Sequence, residues 1–273
     1  MSAPAPSLTG TTPGGTAYRT FGDPARPTIL MIHGLGLAQQ LFDHMVEALS
    51  AQHQLVTYDL YGHGKSAPPP NTADLFLYAQ QIEELIAHLD VGPVHLVGFS
   101  IGGMINRKFA MQSPSKLRSL VIWNSPHDRG EKGQQEVEAR AKTVRDQGTM
   151  STLPGAIKRW FTPGFIERQP DTVDLVRQWR ELVDAEGYAQ AAWVLANGVR
   201  ELIAPPTPIR VPTFVLTCQN DSGSTPQHAY QIMAEIDDAE IAIIDDLQHL
   251  GLMEAPQAFV DITLDFINRV QES

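Results

Sequence analysis

The chain has 273 residues, 42% hydrophobic and 19% charged, with 31 acidic against 20 basic side chains and a formal charge of −11. That composition excludes disordered and fibrous classes, and the negative balance argues against nucleic acid or an anionic membrane surface as partner. The single cysteine, Cys218, can form neither an internal disulfide nor a cysteine metal cluster.

The opening "MSAPAPSLTGTTPGG" reads as a loose segment without a basic start or an apolar signal core. No apolar run is long enough to span a membrane, so the expectation is a soluble, cytoplasmic protein. Strand-length apolar runs then recur: "PTILMIHG" (27–34), "HQLVTYD" (53–59), "PVHLVGFS" (93–100), "LRSLVIWN" (117–124), "PTFVLTCQ" (212–219) and "AEIAIID" (239–245). Several are apolar at consecutive positions, as buried parallel strands require. Between them, "DLFLYAQQIEELIAHLD" places Leu75, Tyr78, Ile82, Leu85, Ile86 and Leu89 at helical spacing, with Gly92 and Pro93 closing the element. Strand and helix in alternation predict an α/β fold, a parallel sheet with helices on both faces.

The alternation lapses between Arg129 and Ala204, where helical patterns ("VDLVRQWRELVDA", "YAQAAWVLANGVRELI") occur without a strand, before Pro205, Pro206 and Pro208. By count this stretch carries 11 basic and 11 acidic residues, so the remaining 197 residues (273 − 76) hold the whole −11. We read residues 129–204 as a helical insertion sitting on the sheet, within a core domain made of residues 1–128 and 205–273.

At the end of the third strand run, "VHLVGFSIGGMINR" brackets Ser100 between Gly98 and Gly102 and continues as helix. A serine held on a tight strand-to-helix turn needs neighbours without Cβ, because backbones approach each other there. The serine then projects from the edge where open α/β sheets bind ligands, and the Ile101 amide, opening the helix, faces an oxyanion formed beside it. A serine hydroxyl needs an imidazole as base and an acid to orient it. Of nine histidines, His249 lies in a loop after the last strand at the same sheet edge as Ser100, and the order Ser, acid, His favours it, with His127 and His228 less easily dismissed than the rest. For the acid, Asp221 follows the strand "PTFVLTCQN", with Asp128 after "LVIWN" as rival. The second oxyanion donor falls in "HGLG" (33–36), with the Leu35 amide preferred and Gly36 the alternative. "YDLYGHGKS" (58–66), with Asp59, His63 and Lys65, is read as structural, and Met45, Met104 and Met111 as core or pocket lining. No phosphate loop, dinucleotide fingerprint or His-Glu-x-x-His metal pattern occurs, so no cofactor or metal is expected.

Taken together, "HGLG", "DLYGHGKS", "GFSIGG", "ND" (220–221) and "QHLGLMEAP" (248–256) resemble the α/β-hydrolase family over nearly the full length, serine-nucleophile branch. The resemblance implies a mostly parallel eight-stranded sheet, a helical cap, and a triad of Ser100, Asp221 and His249. "RWFTPGF" (159–165) in the cap is similar to the 3-oxoadipate enol-lactonase group. The expected function is hydrolysis of a small carboxylic ester or lactone through an acyl-enzyme on Ser100, with Trp160 and Phe161 lining the substrate site. Lys158 and Arg159 are candidates to meet a substrate carboxylate. Alternatives on the same triad are carbon–carbon hydrolysis of ring-cleavage diketones, amide hydrolysis, and acyl transfer or perhydrolysis; a slow or non-catalytic ligand receptor is the alternative of another class. The expected partner is a small-molecule substrate, and a homodimer is left open.

Overall fold

The computed structural model describes residues 4–272. In chain order the elements are β1 (Leu8–Thr11), β2 (Ala17–Phe21), β3 (Thr28–Ile32), α1 (Val46–Ser50), β4 (Gln54–Tyr58), α2 (Leu75–Leu89), β5 (Val94–Phe99), α3 (Ile101–Gln112) and β6 (Leu117–Trp123). Then come α4 (Gly130–Gln147), α5 (Leu153–Trp160), α6 (Pro163–Arg168), α7 (Pro170–Glu181) and α8 (Ala185–Asn197), followed by β7 (Thr213–Cys218), α9 (Pro226–Ala234), β8 (Ala239–Ile244), α10 (Gly251–Glu254) and α11 (Pro256–Glu272).

The strands form one sheet in the order β1-β2-β4-β3-β5-β6-β7-β8, antiparallel at β1-β2 and β2-β4 and parallel elsewhere. Each of the six apolar runs becomes one of β3 to β8. Successive residues of β3 go to opposite faces: Leu30 and Ile32 join a cluster with α2, α3 and α9, while Ile29 and Met31 join another with α1 and α11. Both faces are therefore covered, which is why the central strands carry no polar alternation. The segment read as loose contains β1, an exposed edge strand whose LTGT sequence has no apolar face to announce it. Met45 and Met104 are core residues.

The helix predicted from Leu75 starts where Asp74 accepts a hydrogen bond from the Leu77 N–H at 2.7 Å, and ends at Asp90 in the left-handed conformation. The five helices α4 to α8 lie between β6 and β7, without a strand, as the lapse in alternation predicted. Val137, Ala141 and Val144 of α4 pack on Tyr188, Ala189, Ala192 and Ala196 of α8 in a cluster of their own. Hydrogen bonds tie this layer to the sheet's loops: Asp184 N–H donates to the Gly62 carbonyl at 3.0 Å, and Leu250 N–H to the Trp160 carbonyl at 2.8 Å. No helix among the described residues is long and apolar enough to cross a membrane.

The tightest approach is at the start of α3. A Cβ on Gly98 would lie 2.2 Å from the Gly102 carbonyl oxygen, and one on Gly102 would lie 2.5 Å from the Ile32 carbonyl oxygen, both backbone atoms. Gly102→Ala is expected to cost about 1–3 kcal/mol of unfolding free energy, the range for forcing a methyl into a filled site. Urea denaturation of the variant reads it.

Candidate active site

Ser100 occupies φ 59° and ψ −115°, a conformation strained for a residue with a side chain. Its N–H continues the ladder by donating to the Trp123 carbonyl at 2.9 Å, while the chain beyond it turns at once into α3. The hydroxyl is thereby held at the rim where β5 ends, with the Ile101 amide in the first turn of α3, where amides have no intrahelical acceptor.

Three segments distant in sequence meet at that rim. His249 Nε2 is 3.1 Å from Ser100 Oγ, and His249 Nδ1 is 2.6 Å from Asp221 Oδ2. Since Nδ1 faces a carboxylate, it carries the proton, which leaves Nε2 free to accept from the serine hydroxyl. Asp221 is fully surrounded: Oδ2 also accepts from Asn124 Nδ2 at 2.9 Å, and Oδ1 accepts from the Gly223 and Ser224 N–H groups, each at 2.9 Å. Burial acts to raise its carboxyl pKa, but the adjoining imidazole and these donors outweigh burial and hold it below the usual carboxylate range. Asp128 instead accepts from the Gly130 N–H in an exposed turn, and His249 has Asp221 as its acid partner. Asn124 was not foreseen; its only trace in sequence is a polar residue closing an apolar strand.

The turn after β3 is braced from behind. Gly36 N–H donates to His63 Nε2 at 3.0 Å, and Leu60 N–H donates to His33 Nε2 at 3.0 Å. The other ring nitrogens face carbonyls, His63 Nδ1 at 3.0 Å from Tyr61 and His33 Nδ1 at 2.8 Å from Gly34. Asp59 takes the Gln39 and Lys65 N–H groups at 2.8 and 3.0 Å. "DLYGHGKS" thus performs the structural role read for it. The amide of Gly36, the alternative oxyanion donor, is engaged by His63, whereas Leu35 lies on the wall of the pocket that holds Ser100 and His249.

The same pocket is lined by Leu37, Phe99, Val137 and Trp160. The indole of Trp160 lies 6.1 Å from the His249 ring, centroid to centroid. Phe161 departs from expectation: it is 0% exposed and stacks on Phe165 at 5.4 Å, inside the core. The backbone turns from helix to extended at Phe161, so adjacent aromatic residues point to opposite sides. Of the two expected cations Arg159 is on the pocket wall, where it is joined by Arg129, Arg140 and Arg180, none of which was foreseen. Among the described residues no three histidine, cysteine or carboxylate side chains converge as metal donors.

This geometry, a serine on a strained strand-to-helix turn backed by aspartate and histidine from the loops that follow two later strands, is that of the α/β-hydrolases. The chain belongs to the alpha/beta hydrolase family, which it matches over residues 29–262. It is similar to a 3-oxoadipate enol-lactonase of Acinetobacter baylyi, 28% identical over 243 residues covering 89% of each chain. An (E)-2-((N-methylformamido)methylene)succinate hydrolase of the same organism is 26% identical over 229 residues, 84% of this chain and 86% of that one. The structure of a hydrolase from Pseudomonas aeruginosa PA01 superposes with a TM-score of 0.85 at 27% identity, covering 95% of this chain and 97% of that one.

Because His33 and His63 each accept from a backbone N–H, both must stay neutral, and burial lowers their pKa values to about 4 and about 3. The unfolded chain protonates these imidazoles near pH 6.5, so below that pH it binds more protons than the folded chain, and stability falls as pH drops toward 4. In His63→Phe, which leaves the Gly36 N–H unpaired at a cost of about 1–3 kcal/mol, the acid slope is expected to flatten. Thermal melts from pH 7 to pH 4 compare the two proteins.

Proposed function

We propose that the protein is a serine hydrolase that cleaves a small-molecule carboxylic ester or lactone. The observation that carries this is the continuous path from the Ser100 hydroxyl through His249 to a saturated Asp221 carboxylate.

In the proposed cycle Ser100 Oγ attacks the substrate carbonyl carbon while its proton passes to His249 Nε2. The carbonyl oxygen becomes an oxyanion, stabilised by the Leu35 and Ile101 amides. Collapse breaks the carbon–oxygen bond to the alcohol, which takes the proton from Nε2; in a lactone that alcohol stays tethered. Water then attacks the acyl-enzyme, giving its proton to His249, and the serine leaves with that proton to release the acid. Asp221 holds the Nδ1 tautomer and stabilises the imidazolium. Residues 129–204 serve as a cap over this site, carrying Trp160 to the substrate, and the core of 1–128 and 205–273 carries the chemistry.

The lactone and ester reading draws support from the enol-lactonase similarity over most of both chains. Amide cleavage, carbon–carbon hydrolysis and acyl transfer would use the same groups and are separated by products rather than by geometry.

Ser100→Ala is expected to lower ester turnover by about three orders of magnitude or more, and to abolish covalent labelling by an uncharged fluorophosphonate. Asp221→Asn is expected to lower kcat by about 10⁴-fold, because the tautomer reverses. Asp128→Asn should leave turnover unchanged. Steady-state kinetics on p-nitrophenyl acetate decide: near-normal rates in Ser100→Ala sink the hydrolase reading, and loss confined to Asp128→Asn sinks the choice of acid.

A further inference from the structure

We propose that the substrate carries a carboxylate, that Arg180 is the group receiving it in the pocket, and that Arg140 and Arg159 draw it in at the mouth. This inference rests on the hydrolase reading of Ser100 and names the substrate class of that site.

Arg180 is the unusual residue. It is 1% exposed, its guanidinium lies over the Tyr188 ring at 4.4 Å and the Trp160 ring at 5.6 Å, and it forms part of the pocket wall. Among the described residues it has no carboxylate partner: Nη1 donates to the Thr149 carbonyl at 3.3 Å and Nε has no hydrogen-bond acceptor. A buried, permanently charged group with one weak neutral acceptor is costly unless a counter-charge arrives. Its place is also specific. A Cβ on Gly36 would lie 2.1 Å from Arg180 Nε, so the guanidinium rests on the very turn that presents Leu35.

The mouth repeats the sign. Arg140 and Arg159 are exposed and line the same pocket, and at Arg140 burial and the neighbouring Arg159 together lower the guanidinium pKa against the opposing pull of Glu136. Among the described residues neither makes a salt bridge, although acidic side chains outnumber basic ones by 31 to 20 in the chain as a whole. Among the described residues the one acid on the pocket wall, Asp221, is already committed to His249. An inward field of this kind attracts and orients an anion. A monoanionic planar carboxylate suits a guanidinium, which binds it through parallel N–H groups. A phosphate dianion would meet about twice the repulsion from Asp221.

Two matched pairs of esters test this, with the carboxylate in either half: p-nitrophenyl hemisuccinate against its methyl ester, and 4-acetoxybenzoate against its methyl ester. The wild-type protein is expected to prefer the acid in at least one pair by about ten-fold or more in kcat/KM, the worth of one charged hydrogen bond. Raised sodium chloride should erode that preference. Arg180→Gln should reduce the ratio about ten-fold, and Arg159→Gln should lower it chiefly through KM. A purely structural Arg180 would lower both members of a pair equally, and an unchanged ratio overturns the proposal, as does a wild-type ratio of one or less in both pairs. If Arg180→Gln does not fold, the wild-type protein decides: succinate should slow fluorophosphonate labelling where dimethyl succinate does not, and the reverse order overturns the proposal. Inorganic phosphate protecting better than succinate also overturns it. If Ser100 does not label at all, the hydrolase reading has failed instead, and calorimetric titration with succinate still reads the anion site by itself.

Discussion

The backbone contact between the end of β5 and the start of α3 is the constraint on which the rest of the site depends. A Cβ on Gly98 would meet the Gly102 carbonyl and one on Gly102 would meet the Ile32 carbonyl at the end of β3, and Ser100 between the two glycines adopts φ 59°. The strain is sustained because both flanking elements are locked, β5 between β3 and β6 and α3 against the sheet. Parallel pairing from β4 to β8 then makes every loop that follows one of these strands emerge on one rim. Side chains 149 residues apart, Ser100 and His249, meet there because the topology leaves their loops no other edge.

Charge is divided between the two sides of that rim. Asp221 is buried, yet two backbone amides, Asn124 and His249 satisfy its oxygens, so its charge is local and spent. Among the described residues, the guanidinium groups of the pocket above make no salt bridge: Arg129 and Arg180 donate to carbonyls, and Arg180 also lies over aromatic rings. An acidic protein has thus gathered arginines on the wall of the pocket that holds Ser100 and His249. That contrast does not follow from net charge, which reports only the sum over the surface.

The central sheet and the serine turn were legible because they follow from local rules. Buried parallel strands need apolar residues at every position, and a strand-to-helix serine needs small neighbours. The edge strand β1 was not legible, since an exposed LTGT has no side to bury. Asp221 and Asp128 both follow a strand, and what separates them, the Asn124 amide and the turn amides of Gly223 and Ser224, is a three-dimensional convergence. The pair Trp160 and Phe161 was read as one unit, but helix gives way to extended backbone between them and splits it. Arg180 did leave a trace: it follows Val176 by four residues, on the buried face of α7, where a charge is out of place.

Gly36 joins these observations. From the core side its N–H is held by His63, a ring kept neutral by burial; from the helical layer Arg180 rests against its Cα. With φ +69° and contacts on both sides, the turn that carries Leu35 has no freedom of its own. Its position is set jointly by the sheet and by the helices above it. On the proposed function, a substrate anion bound at Arg180 would press on the same turn that would stabilise the oxyanion, so recognition and chemistry would share one backbone segment. Binding energy from a remote carboxylate would in this way be applied at the reacting carbonyl without any direct contact between the two.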